Sequence, residues 1–480
     1  MKQRAVLGAE TSGGVGQRYL EAFFYLNLVF VLLSFGAVYP LPLAVSVILA
    51  CFTCLSALVL KSEPPKTRIV FHLSLWLGIL FIGCIVLQTV TLPNALFANA
   101  AWKTLAPWGF EAKPVISVAP TETLVSTLSV ALPILVFLSG LLIFDTDERA
   151  QQAFHRMAAA GGIIALLAIA QFALLPKTLL FSTKDAFRDS LTGTFVNRNT
   201  AATFFGLVSL MLFPAAAKAW REVDRSRLTH WVSGLVALRD IRGFHSFMIA
   251  AGLFSLSIIA LFLTKSRAGA ASTFVAFVVF IVLSSYFRET QATSGMRIYR
   301  RRRTWFSTPL GRISTTLAIG LFVLGLLGRR TILRAEVGGT DDARFCFFDG
   351  VLSAAGLNTE TGSGFGAFKF TFTPFRDPSC GLVGIWDKAH NIYLEAFAGL
   401  GMVFIPIALA GLAILVATYW IGIRDRRKLR SFPILGAAGL CLVALHGIFD
   451  FSLEIPGFAA VYAAFCAVTV TLSLGRRKTG

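Results

Sequence analysis

The sequence predicts an all-α polytopic membrane protein with about twelve transmembrane helices and one long outer loop containing short helices. Three observations predict it. The 480 residues are 56% hydrophobic and only 14% charged, against about 25% charged in an average soluble domain. Uncharged apolar runs recur from end to end, and at about 20 residues each crosses a hydrocarbon layer of about 30 Å. Lys and Arg gather in short clusters between these runs, which is the pattern of cytoplasmic loop ends.

These features exclude a soluble enzyme, a disordered chain and a disulfide-stapled secreted scaffold. They also exclude an outer-membrane barrel, whose strands alternate with period two in segments of about 10 residues. The net charge of +19 does not imply nucleic acid, because the basic residues are split among loops. Membrane lipids are the expected partner of those clusters.

The spans fall near 21–39, 41–60, 69–90, 123–144, 157–175, 200–217, 246–264, 269–287, 313–328, 391–420, 432–449 and 457–474. Placing both termini in the cytoplasm puts 29 of the 44 Lys and Arg residues on that side. The run Arg300-Arg301-Arg302-Arg303 and the cluster Arg424, Arg426, Arg427, Lys428 and Arg430 dominate this asymmetry. The chain therefore reads as one integral-membrane domain, 1–480, with a large outer loop, 329–390, between spans nine and ten. Shorter outer loops lie near 91–122 and 176–199. A loop as long as 329–390 exceeds what a connection needs and is a functional candidate. Two of the seven cysteines, Cys346 and Cys380, lie in it; in an oxidising compartment they are candidates for a disulfide.

Polar residues crowd the outer ends of the spans. Gly193-Thr194-Phe195-Val196-Asn197-Arg198-Asn199 opens one span, and Lys265-Ser266-Arg267-Ala268-Gly269 is almost the whole of a turn between two others. The long loop holds Asp341-Asp342-Ala343-Arg344 and Gly362-Ser363-Gly364-Phe365-Gly366, and closes on Lys388-Ala389-His390-Asn391-Ile392-Tyr393-Leu394-Glu395. Outer-side arginine runs against the positive-inside trend. Arg198, Arg267 and Arg344 suit a phosphate-bearing ligand, since guanidinium is a permanently charged fork of donors. Their plainer reading is interfacial anchoring, as for Lys265. His390 is a candidate base for a sugar hydroxyl near neutral pH, or a packed or capping histidine. Asn197, Asn199 and Asn391 are candidate supporting residues, with helix capping the plainer role for Asn391. His446 and Asp450 are four apart and share a helix face, where pairing is favoured over catalysis. The three glycines read as a tight turn with close backbone approach. Cys51 and Cys54 lie inside an apolar span, and no GxxxxGK[ST] or HExxH pattern occurs, so neither metal nor cofactor is expected.

Taken together, these motifs resemble the O-antigen ligase and O-antigen polymerase superfamily, together with Asp450-Phe451-Ser452-Leu453, over about residues 190–456. The resemblance implies an inner-membrane glycosyltransferase whose donor is a glycan on undecaprenyl diphosphate at the periplasmic face. The acceptor would be a sugar of lipid A–core or a similar glycan or glycolipid. Arg198, Arg267 and Arg344 would hold the diphosphate, and His390 would activate the acceptor hydroxyl for inverting attack without metal. An exopolysaccharide or O-antigen polymerase and a protein O-oligosaccharyltransferase share this donor chemistry. A polysaccharide or lipid transporter is the reading from a different class.

Overall fold

The computed structural model describes residues 2–61, 66–93, 96–109, 114–224, 227, 230, 233, 241–292, 343–377 and 386–475. The protein is all-α and polytopic. Nine helical stretches among the described residues are long and apolar enough to cross a membrane. In chain order the helices are α1 (Lys2–Leu33), α2 (Pro40–Leu60), α3 (Arg68–Leu87), α4 (Pro120–Ile143), α5 (Asp147–Leu174), α6 (Arg198–Glu222), α7 (Phe244–Leu263) and α8 (Arg267–Ala292). They continue with α9 (Ala343–Gly356), α10 (Phe368–Phe372), α11 (Ile392–Leu400), α12 (Phe404–Asp425), α13 (Ser431–His446) and α14 (Pro456–Ser473). A two-stranded hairpin, β1 (Thr178–Leu179) and β2 (Ser182–Thr183), sits in the loop before α6. Span 313–328, the run Arg300–Arg303 and Cys380 lie outside the described residues, as does the Cys346 side chain.

Local sequence explains many of the helix starts. Pro40, Pro120 and Pro456 occupy the first turns of α2, α4 and α14, where the missing N–H costs no hydrogen bond. Thr146 caps α5 by accepting from Arg149 N at 3.2 Å. Asp147 and Glu148 follow it in the first turn, where the helix dipole favours acids. The polar stretch 147–156, which precedes the span expected near 157–175, is therefore helical.

One expected span is broken. The run 391–420 forms α11, a 3-10 turn at Gly401–Val403, and then α12. Gly401 adopts φ 62°, and a Cβ there would lie 2.5 Å from the Thr359 carbonyl oxygen. Backbone crossing this close stops the helix, and only glycine fits.

The chain packs as two compact units. One comprises Met1–Asp145, Gly325–Thr418 and Gly447–Gly480; the other comprises Thr146–Leu324 and Tyr419–His446. In the first, α14 packs on α4 and α1, while α2 and α3 flank α4. Gly140 of α4 lets the two helices meet at Ala467, where an added Cβ would come within 2.7 Å; small residues at such crossings bring membrane helices close. In the second, α6 packs on α5, α7, α8 and α13, and α13 packs on α8. Each unit has one helix buried almost all round, α14 and α6 respectively, as expected for helices apolar on every face.

Candidate active site

In the second unit, the segment leading into α6 and the turn leading into α8 are fastened together. Leu191 N donates to Leu263 O at 3.0 Å, and Lys265 Nζ donates to Asp189 Oδ2 at 2.9 Å. The Lys265 hydrogen bond keeps the Asp189 carboxyl below its ordinary range. Lys265 itself stands at φ 56°, a left-handed conformation that a side chain adopts only when its surroundings enforce it. Lys265 is thus a tie between the segment before α6 and this turn.

Both helices then start with a polar cap. Asn197 accepts from Asn199 N at 2.7 Å, and Ser266 Oγ accepts from Gly269 N at 3.3 Å. Capping places Arg198 and Arg267 at the first position of α6 and α8. Arg198 is half-buried, its guanidinium 5.3 Å from the centre of the Phe187 ring; Arg267 is exposed.

The two helices run parallel and in close contact. A Cβ on Gly269 would lie 2.5 Å from Ala202 Cβ, and one on Gly206 would lie 2.2 Å from Thr273 Oγ1. These two contacts are one turn apart on both helices, so the register places Arg267 level with Thr200. Arg198 and Arg267 are therefore separated along the axis by two residues, about 3 Å of rise. Each helix start also presents the positive end of its dipole. Two arginines at the heads of two adjacent helices, where the dipoles are positive, are the elements of an anion-binding arrangement.

His446, at the end of α13, is fully buried and its Nδ1 lies 2.5 Å from Thr203 Oγ1. Thr203 also donates to Asn199 O at 3.1 Å. A hydroxyl has one proton, so His446 Nδ1 carries its own and donates to Thr203. Through Thr203, α13 braces the first turn of α6. Asp450, in the other unit, accepts from Ser452 Oγ at 2.5 Å.

In the first unit, His390 precedes α11. Asn391 caps that helix, accepting from Tyr393 N at 3.0 Å and Leu394 N at 3.1 Å. His390 stands at φ 51°, and its ring meets Trp386 and Phe451 edge-on, at centroid distances of 5.5 and 5.0 Å. Ala389, beside it, belongs to an apolar cluster with Val351, Phe368 and Phe372. Arg344 lies in the first turn of α9, the helix that supplies Val351 and packs on α11. The loop carrying Gly362, Gly364 and Gly366, all at positive φ, wraps the end of α11: a Cβ on Gly362 would lie 2.2 Å from Gly399 O. These glycines are architectural.

Among the described residues, no three His, Cys, Asp or Glu side chains gather as a metal site. Residues 252–405 match a family model described as O-antigen ligase. Over that stretch the chain is similar to O-antigen ligases. Compared with curated proteins, the chain has no match. The O-antigen ligase match runs from α7 into α12 and takes in Arg267, Arg344, His390 and Asn391; Asn197, Arg198 and Asn199 precede it.

Two features around α11 escaped the sequence reading. Gln88, buried at the end of α3, donates Nε2 to Thr361 O (2.7 Å) and Gly399 O (2.8 Å) and accepts from Phe365 N (2.9 Å). It pins the glycine loop, and its only sequence signal is an amide ending an apolar run. Lys388 lies 2.9 Å from Glu395 Oε1 and 2.6 Å from Glu454 Oε2. Burial opposes the Lys388 charge, yet the two carboxylates hold its pKa well above the ordinary lysine range. Burial, then the neighbouring Glu395 charge, pushes the Glu454 carboxyl well above its ordinary range.

Proposed function

We propose that this protein is a ligase-like glycosyltransferase that moves a glycan from undecaprenyl diphosphate to an acceptor sugar hydroxyl at the periplasmic face of a bacterial inner membrane. Arg198 and Arg267 grip the diphosphate, with Arg344 as a third cation, while Asn197, Asn199 and Asn391 hold the helix starts. Diphosphate departure builds negative charge, and fixed guanidinium and N–H donors stabilise it most in a site shielded from water. His390 takes the proton of the acceptor hydroxyl as it attacks the anomeric carbon, which inverts the configuration there. The donor is already activated, so the step needs neither metal nor nucleotide.

The observation that carries this reading is the parallel, in-register contact of α6 and α8, which sets an arginine at the head of each. The O-antigen ligase match over 252–405 supports the same reaction class. An acceptor on lipid A–core or a similar glycolipid follows from the ligase reading; a polymerase would use a growing chain instead. The test is purified protein in nanodiscs with undecaprenyl-diphosphate-linked glycan and candidate acceptors, followed by mass spectrometry. Release of undecaprenyl diphosphate together with an inverted glycoside is the expected result. Failure to release it with any acceptor, alongside movement of the donor across sealed vesicles, would favour a transporter.

A further inference from the structure

His390 is held on both sides by contacts that do not involve its own ring. Upstream, Ala389 N donates to Glu395 Oε2 at 2.7 Å, and Lys388 bridges Glu395 and Glu454. Downstream, Asn391 caps α11, and Ile392 N donates to Gly447 O at 3.0 Å. A histidine at positive φ persists only where its neighbours over-determine it, and the chain on either side of His390 meets that condition. Glu395 is the hinge of the upstream part: it is buried and uses one carboxylate oxygen for Lys388 and the other for the backbone.

We propose that Lys388, Glu395 and Glu454 are positioning residues for glycan transfer, an ion triad that clamps residues 388–389 and through them sets the His390 imidazole against the acceptor hydroxyl. This rests on the role proposed above for His390. The two carboxylates are not equivalent. Glu395 needs both oxygens as acceptors, which only a carboxylate supplies; a glutamine turns an NH₂ group toward either Lys388 or Ala389 N–H. Glu454 contributes one oxygen to Lys388. Burial and the neighbouring Glu395 charge both push the Glu454 carboxyl up, while Lys388 opposes that shift. A glutamine at 454 can still offer one oxygen to Lys388, whereas one at 395 loses an acceptor on one side.

The test uses the full chain in nanodiscs and two readouts. The first is the rate at which diethyl pyrocarbonate modifies His390, followed by mass spectrometry of its peptide at fixed pH. The second is kcat for transfer, with KM for the lipid-linked donor. Glu395→Gln should change the His390 modification rate several-fold and lower kcat by about 10²-fold, the scale of a reacting group displaced by about 1 Å, with donor KM unchanged. Glu454→Gln, which keeps one oxygen for Lys388, should shift both readouts in the same direction as Glu395→Gln but by less. Lys388→Met should behave like Glu395→Gln, and Lys388→Arg, which can still bridge two carboxylates, should restore most of the activity. This pair decides the matter if Glu395→Gln does not yield monodisperse protein. Wild-type labelling and kcat in Glu395→Gln or Lys388→Met would overturn the proposal, as would Glu454→Gln losing as much as Glu395→Gln. His390→Ala with full kcat would instead sink the base role of His390, while the labelling rates would still report on the clamp.

Discussion

Adding a single methyl group at Gly269 should damage catalysis from a position that bears no functional group. A Cβ there lies 2.5 Å from Ala202 Cβ, whereas carbon atoms settle at about 3.5–4.0 Å. α8 must therefore retreat from α6 by about 1 Å or a little more, carrying Arg267 with it. Overpacking of this size costs about 1–3 kcal/mol of stability, and a displacement of about 1 Å in a binding group costs about 10²-fold in rate. Gly269→Ala should then lower kcat/KM by 10- to 100-fold, on that order-of-magnitude scale, while the protein stays folded. The same substitution at Gly252, where nothing lies within 4 Å, is the matched control and should leave activity unchanged. Because the opposing atom is the Ala202 methyl, Gly269→Ala combined with Ala202→Gly should recover most of the loss, a coupling expected only of residues in contact. The assay is transfer of labelled glycan in nanodiscs, with thermal unfolding alongside. Full activity in Gly269→Ala, or no recovery in the double variant, would refute the argued spacing of the arginines.

Other substitutions probe the rest of the site. His390→Ala should reduce kcat by about 10²–10⁴-fold, the usual contribution of a general base; Arg267→Ala should be more severe, measured in the same transfer assay. Gln88→Ala removes three hydrogen bonds to buried backbone and should lower stability by about 3 kcal/mol at about 1 kcal/mol each, seen as earlier proteolysis of the glycine loop. Asn391→Ala should cost about 1 kcal/mol through loss of the α11 cap, read from thermal unfolding. Lys265→Ala, whose ion pair with Asp189 is half-exposed or more on both sides, should change stability by no more than about 1 kcal/mol.

Much of the fold was legible because a membrane demands long apolar runs, and these stand out against short basic clusters. The cap at Asn391 was also legible: a short polar side chain just before an apolar run is what a helix start requires. The break at Gly401 was not, because the run is apolar on both sides of it and the cause is a crossing with Thr359 from another loop. The approach of Gly269 to Ala202 was hidden for the same reason, since a glycine beside a turn reads as turn chemistry until its neighbour is known. The contact of His446 with Thr203 spans 243 residues of chain, so no local pattern announces it. Lys388 and Glu454 lie 66 residues apart, so no local pattern joins them. Contacts that depend on tertiary approach leave no periodic trace.

The most direct test of the central claim measures undecaprenyl diphosphate released by purified wild type, Arg198→Ala and Arg267→Ala with a lipid-linked glycan and its acceptor. Release by wild type, with severe loss in both variants and normal folding, is the expected result. Release by either variant at the wild-type rate would contradict a diphosphate held at the heads of α6 and α8.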